Sequence, residues 1–65
     1  MTKKLRKFLL SGYLAQVKLI ASGDLKWVSA LSKMYRKRYK VKARNIEQQL
    51  IKASKELRLE LWGEI

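Results

Sequence analysis

Ile20-Ala21-Ser22-Gly23-Asp24-Leu25-Lys26-Trp27-Val28 contains the clearest boundary in this chain of 65 residues. Gly tolerates the left-handed backbone that ends many helices. Asp is a favoured N-cap whose carboxylate suits the positive end of a helix dipole. Ser22-Gly23-Asp24 therefore reads as the end of one helix followed at once by the start of another. No Pro occurs, and Gly12, Gly23 and Gly63 are the only glycines, so little else punctuates the chain. Helix formers dominate between these points, and no strand-like alternation extends beyond a few residues.

Upstream of the boundary, a first helix is expected over about 3–21. Its polar residues Lys4, Lys7, Ser11, Lys18 and Ser22 share one narrow stripe. Phe8, Leu9, Leu10, Tyr13, Leu14, Val17, Leu19 and Ile20 fill the rest of the circumference. A helix so widely apolar needs more than one neighbour, so part of its surface is expected to meet another molecule. Gly12 inside it either costs about 1 kcal/mol relative to Ala or marks a break or a close packing contact.

Downstream, a second helix is expected over about 25–39, with Asp24 as its N-cap. Trp27, Val28, Leu31, Met34 and Tyr35 form its apolar face, and Lys26, Ser29, Lys33, Arg36, Lys37 and Lys40 the opposite one. A connector, Lys40 to Arg44, leads to Asn45, the expected N-cap of a third helix over about 46–62. Gln48 three residues on gives a capping-box arrangement, and Glu47 complements the dipole. Ile46, Leu50, Ala53, Leu57 and Leu61 form a core stripe, while Ile51, Leu59 and Trp62 lie off it. Glu60 and Glu64 near the C-terminal end predict fraying there or a basic neighbour. The expected fold class is all-α: a small three-helix domain with short connections, spanning 1–65 as a single basic helical domain.

Size and composition narrow the function. A chain this short buries only about 60% of the surface it exposes when unfolded, so its core is marginal. With neither Cys nor His, disulfides and the usual zinc sets are excluded, and no metal or cofactor is expected. There is no paired-carboxylate motif or Gly-rich phosphate loop, and the chain is not expected to be an enzyme. Basic Met1 to Lys7 followed by Phe8-Leu9-Leu10 has the outline of a signal peptide. Ser11, Gln16 and Lys18 interrupt its apolar part, whereas a membrane span needs about 20 mostly apolar residues. A soluble, cytoplasmic protein is expected.

Charge carries the functional signal. Sixteen Lys and Arg against five Asp and Glu give +11, and a hydrophobic fraction of 48% argues against a disordered basic tail. Residues 1–44 hold thirteen Lys/Arg and one acid, whereas residues 45–65 hold three Lys/Arg and four Glu. The densest run comprises Lys33, Arg36, Lys37, Arg38, Lys40, Lys42 and Arg44, without an acid and with Tyr35 and Tyr39 interleaved. Mutual repulsion destabilises such a run unless an anion neutralises it. Nucleic-acid phosphates do this and release condensed counterions as they bind. Arg forks grip phosphate in pairs of bonds, Lys acts as a point charge, and Tyr39 is placed to stack on an unpaired base.

Lys3, Lys4, Arg6 and Lys7 form a second basic patch, with Lys4 and Lys7 continuing into the stripe of Lys18. The expected RNA-contacting set is Lys3, Lys4, Lys7, Lys26, Lys33, Arg36, Lys37, Arg38, Tyr39, Lys40, Lys42 and Arg44. Trp27 and Trp62 read as core and edge anchors.

The expected function is a structural RNA-binding protein, most concretely a small ribosomal protein contacting rRNA phosphates. In size and composition the chain is similar to the small accessory proteins of archaeal and eukaryotic ribosomes. Neighbouring ribosomal proteins are expected on the apolar face of the first helix and on Ile51, Leu59 and Trp62. The alternative is a small helix-turn-helix DNA-binding protein built from Asp24 to Leu61, with Gln48 or Gln49 reading adenine. Glu47, close to where phosphates would lie, opposes it. Neither a small-molecule substrate nor a membrane partner is expected.

Overall fold

A computed structural model describes residues 2–63. Among these the chain forms four helices: α1 (Lys3–Leu10), α2 (Leu14–Ala21), α3 (Val28–Tyr39) and α4 (Ile46–Trp62). The all-α class holds, but the three-helix expectation does not, because the segment 3–21 is two helices and not one. Gly12 takes φ of 132°, a region L side chains rarely enter. The Phe8 carbonyl, which a continuing helix would offer to Gly12, instead accepts from the Ser11 N–H (3.2 Å) and the Ser11 hydroxyl (2.6 Å). The physical reason lies in burial. Bending at Ser11–Gly12 lets Leu5, Phe8 and Leu9 of α1, and Val17 and Ile20 of α2, all reach one core. A straight helix would spread these residues over about half of its circumference, wider than one packing face.

The other boundaries follow from local hydrogen bonds. Thr2 caps α1, its hydroxyl accepting from the Leu5 N–H at 3.2 Å. α2 closes at Gly23 (φ 102°): the Asp24 N–H donates to Leu19 and the Gly23 N–H to Ile20. That pair of bonds is the Schellman motif, which satisfies carbonyls a helix end leaves open. Asp24 does not cap the next helix. Its carboxylate accepts from the Lys26 N–H (3.3 Å) in a short turn, and α3 starts at Val28, not Leu25, with no side-chain cap. Asn45 occupies the N-cap position of α4, but the expected capping box is absent. The Asn45 side-chain oxygen accepts from Gln49 Nε2 at 2.8 Å in place of a backbone N–H.

α4 is the spine. α2 lies along it, α3 packs beside it, and α1 touches all three other helices. The core joins α1 and α2 residues to Val28, Leu31 and Tyr35 of α3 and to Ile46, Leu50, Ala53 and Leu57 of α4. Three expected core positions face outward. Trp27 and Met34 lie on the flank of α3, because its buried face is Val28, Leu31, Ser32 and Tyr35. In the last turn of α4 it is Trp62 that packs against the core, and Leu61 is 41% exposed. Glu64, expected near this end, lies outside the described residues.

Two substitutions test this account. Gly12→Ala adds a Cβ that meets nothing within 4 Å, so its whole effect is backbone strain. It is expected to destabilise by about 1–3 kcal/mol in thermal melts, although Ala is the better helix former. Ser54 is fully buried, and its hydroxyl has no hydrogen-bond partner among the described residues. Ser54→Ala removes an unsatisfied polar group and favours the helix. It is expected to stabilise by about 1 kcal/mol, raising the Tm by roughly 4–8 °C.

Candidate nucleic-acid interface

Four aromatic rings fix α1 against α3. Phe8 lies 4.8 Å from Tyr13, 5.3 Å from Tyr35 and 6.3 Å from Tyr39, centroid to centroid, and Tyr35 and Tyr39 are 5.2 Å apart. The Tyr13 hydroxyl reaches Met34 Sδ at 4.0 Å. Contacts later in the α1–α2 segment thus fall earlier in α3. On the other side, Thr2 and Leu5 share a shallow cleft with Gln49, Lys52, Ala53 and Glu56, while Arg6 reaches Glu60. The start of α1, the end of α3, the connector and the start of α4 therefore meet at one end of the molecule.

That end gathers Lys3, Lys4, Lys40, Lys42 and Arg44, all exposed. Lys37, three residues before Lys40, and Lys33, four before that, continue the surface up the outer face of α3 over about 10 Å of helix. Lys7 stands one turn along α1. Basic residues in the last turn of α3 (Arg36, Lys37 and Arg38) suit the negative end of its dipole. Lys3 and Lys4 do not, because they sit at the positive end of α1, whose first turn carries no acid.

Several cations already have a structural task. Arg36 Nη2 donates to the carbonyls of Ala43 (3.1 Å) and Arg44 (3.5 Å), bracing the connector against α3. The Arg38 guanidinium lies over the Tyr39 ring at 5.8 Å. Lys26 pairs with Asp24 at 3.8 Å, beyond the N-terminal end of α3 and apart from the gathered set. Lys18 lies 4.8 Å from the centre of the Trp62 ring, and with α1 broken from α2 it no longer continues the row of Lys4 and Lys7. Among the described residues, no ion pair engages Lys3, Lys4, Lys7, Lys33, Lys37, Lys40, Lys42 or Arg44.

Lys52 was not among the expected contacts. It is exposed and lines the cleft beside Thr2, at the cationic end. The near-neutral total of residues 45–65 hides it, yet its position two residues past Leu50 already places it off the core stripe. Tyr39 is half-buried among the rings and is not a free platform.

Apolar surface also remains exposed, and Leu10 shares a shallow cleft with the cations Lys3, Arg6 and Lys7. Leu10, Leu14 and Leu19 are exposed on α1 and α2, and Leu59 is 50% exposed on α4. Ile51 and Trp62 pack against the core instead. Among the described residues no helix is long and apolar enough to cross a membrane, and no group of His, Cys, Asp or Glu gathers to hold a metal ion. No protein-family model, curated protein or solved structure matches the chain.

Arg6 is the basic neighbour that the position of Glu60 calls for. Its carboxylate accepts from Arg6 Nη1 at 2.6 Å, and this bond, more than simple charge attraction, lowers the Glu60 pKa and raises that of Arg6. Because the folded-state value is lowered, the pair contributes above the unfolded pKa, and its contribution fades as pH falls through the folded one. An NMR titration is expected to find Glu60 ionising below the usual carboxylate range, and Arg6→Gln to return it there.

Proposed function

We propose that this chain is a structural, non-catalytic RNA-binding protein, and that its setting is the cytoplasmic ribosome, where it contacts rRNA phosphates. One observation carries the reading: cations from α1, α3 and the connector share one end, outnumber Glu47 and Glu56 there, and among the described residues Lys3, Lys4, Lys7, Lys33, Lys37, Lys40, Lys42 and Arg44 form no ion pair. Packing like charges together costs energy in isolation, and a polyanion offsets it. Lys3, Lys4, Lys7, Lys33, Lys37, Lys40, Lys42 and Arg44 are assigned to phosphate contact, joined by Lys52. Arg36 and Arg38 reach the ligand with whatever donors the connector and Tyr39 leave open.

The exposed apolar residues Leu14, Leu19 and Leu59 are assigned to neighbouring proteins, whereas Leu10 lies in a cleft with Lys3 and Lys7 and goes with the cationic surface. The helix-turn-helix reading has less support. α4 would bring Glu47 first toward the duplex, and Gln49 is already engaged with Asn45.

Lys33, Lys37, Lys40 and Lys42 replaced together by Ala are expected to weaken binding to folded rRNA at least about a hundredfold at low salt. They should also flatten the plot of log affinity against log salt by roughly 3–4 units. Arg36 is left intact because its loss would loosen the connector. Helicity by circular dichroism should not change. Unchanged affinity and slope would show that the binding surface lies elsewhere.

A further inference from the structure

Resting on the RNA-binding reading above, we infer that the ligand of this surface is a double-helical stretch of RNA gripped by its phosphates, not an unpaired strand held by base stacking. Proteins that bind single strands line a cationic groove with exposed aromatic platforms. This chain has six aromatic residues, and none offers such a platform among the cations. Phe8, Tyr13, Tyr35 and Tyr39 close on one another, with Arg38 over Tyr39. Trp62 packs against the core beneath Lys18. Trp27 is 36% exposed, but it stands at the far end of α3, thirteen residues or about 20 Å from Lys40.

On α3 the cationic surface is the convex outside of a helix, and beside it Lys3, Lys7 and Lys52 line only shallow clefts with no aromatic residue. The α3 row of Lys33, Lys37 and Lys40 consists of point charges on flexible stems, with Ser29, Ala30 and the connector-bound Arg36 on or beside that face. No Asn or Gln lies between Lys33 and Arg44 to read adenine, and Arg36 and Arg38, types that read guanine, are engaged with the connector and Tyr39. The major groove of an A-form helix is too deep and narrow for side chains to read. The lysines must therefore lie across the backbone where the minor groove is wide. The α3 row faces one strand, and Lys3 and Lys4 at the shared end of the molecule reach the other.

The test uses the full chain, an RNA duplex of about 16 base pairs, an oligouridylate of the same length and a DNA duplex of the same sequence, across a salt series. The expected result is that duplex RNA binds at least about tenfold more tightly than oligouridylate. Tyr39→Leu and Trp27→Leu should leave the duplex affinity within about twofold, a change under about 0.5 kcal/mol. Equal or tighter binding of oligouridylate, or its loss with Tyr39→Leu, would overturn the double-helix inference while leaving the RNA reading intact. A DNA duplex bound more tightly than the RNA duplex would overturn the RNA reading and keep the preference for a double helix. No salt-sensitive binding to any of the three would remove both.

Discussion

Everything in this molecule hangs on the bend at Ser11–Gly12. Two eight-residue helices are each too short to be stable alone, because isolated helices below about 12 residues are marginal in water. They persist because each lays its apolar face on α4, and the bend is what lets both do so. The Ser11 hydroxyl and amide take the Phe8 carbonyl, Gly12 supplies a backbone angle closed to other residues, and Tyr13 begins the second direction. The same bend puts Phe8 and Tyr13 within 4.8 Å of each other, which seeds the aromatic cluster that holds α3. A chain of this size has no second core to fall back on.

With the fold held this way, the charges separate by task. Arg6 closes onto Glu60, Arg36 braces the connector, Lys26 meets Asp24 and Lys18 covers Trp62. Lys55 and Arg58 of α4 lie apart, beside Ala21 and Leu59. What is left over beyond these is gathered, and it includes Lys3 and Lys4 at the wrong end of a helix dipole. A purely solubilising surface has no reason to concentrate charge there. The electrostatic cost, set against a marginal core, is the physical ground for reading the surface as built for an anion.

The legibility of each feature followed the range of the interaction behind it. Gly23 was readable because the Schellman turn is closed by residues within five positions of one another. The core stripe Ile46, Leu50, Ala53 and Leu57 was readable because it follows helix period. Gly12 was not decided by sequence: the choice between a costly glycine and a break depends on what lies opposite in the folded chain. Asp24 and Gln48 failed as caps through local competition, since the Schellman turn carried Asp24 out of position and Gln49 took the Asn45 oxygen. The run from Lys33 to Arg44 was visible as composition, but the separate duties of Arg36 and Arg38 were not. That the start of α1 joins the run depends on contacts such as Arg6 with Glu60, 54 positions apart.

Lys40 ends α3 in the left-handed conformation, φ 54° and ψ 39°, the one described residue other than glycine to do so. Glycine would hold that corner with less strain, yet it would take away an ammonium group from the middle of the basic run. Thermal robustness and ligand grip therefore pull this single position in opposite directions. Directed evolution rewarding heat tolerance alone would drift toward glycine there and come away with a sturdier but less adhesive protein.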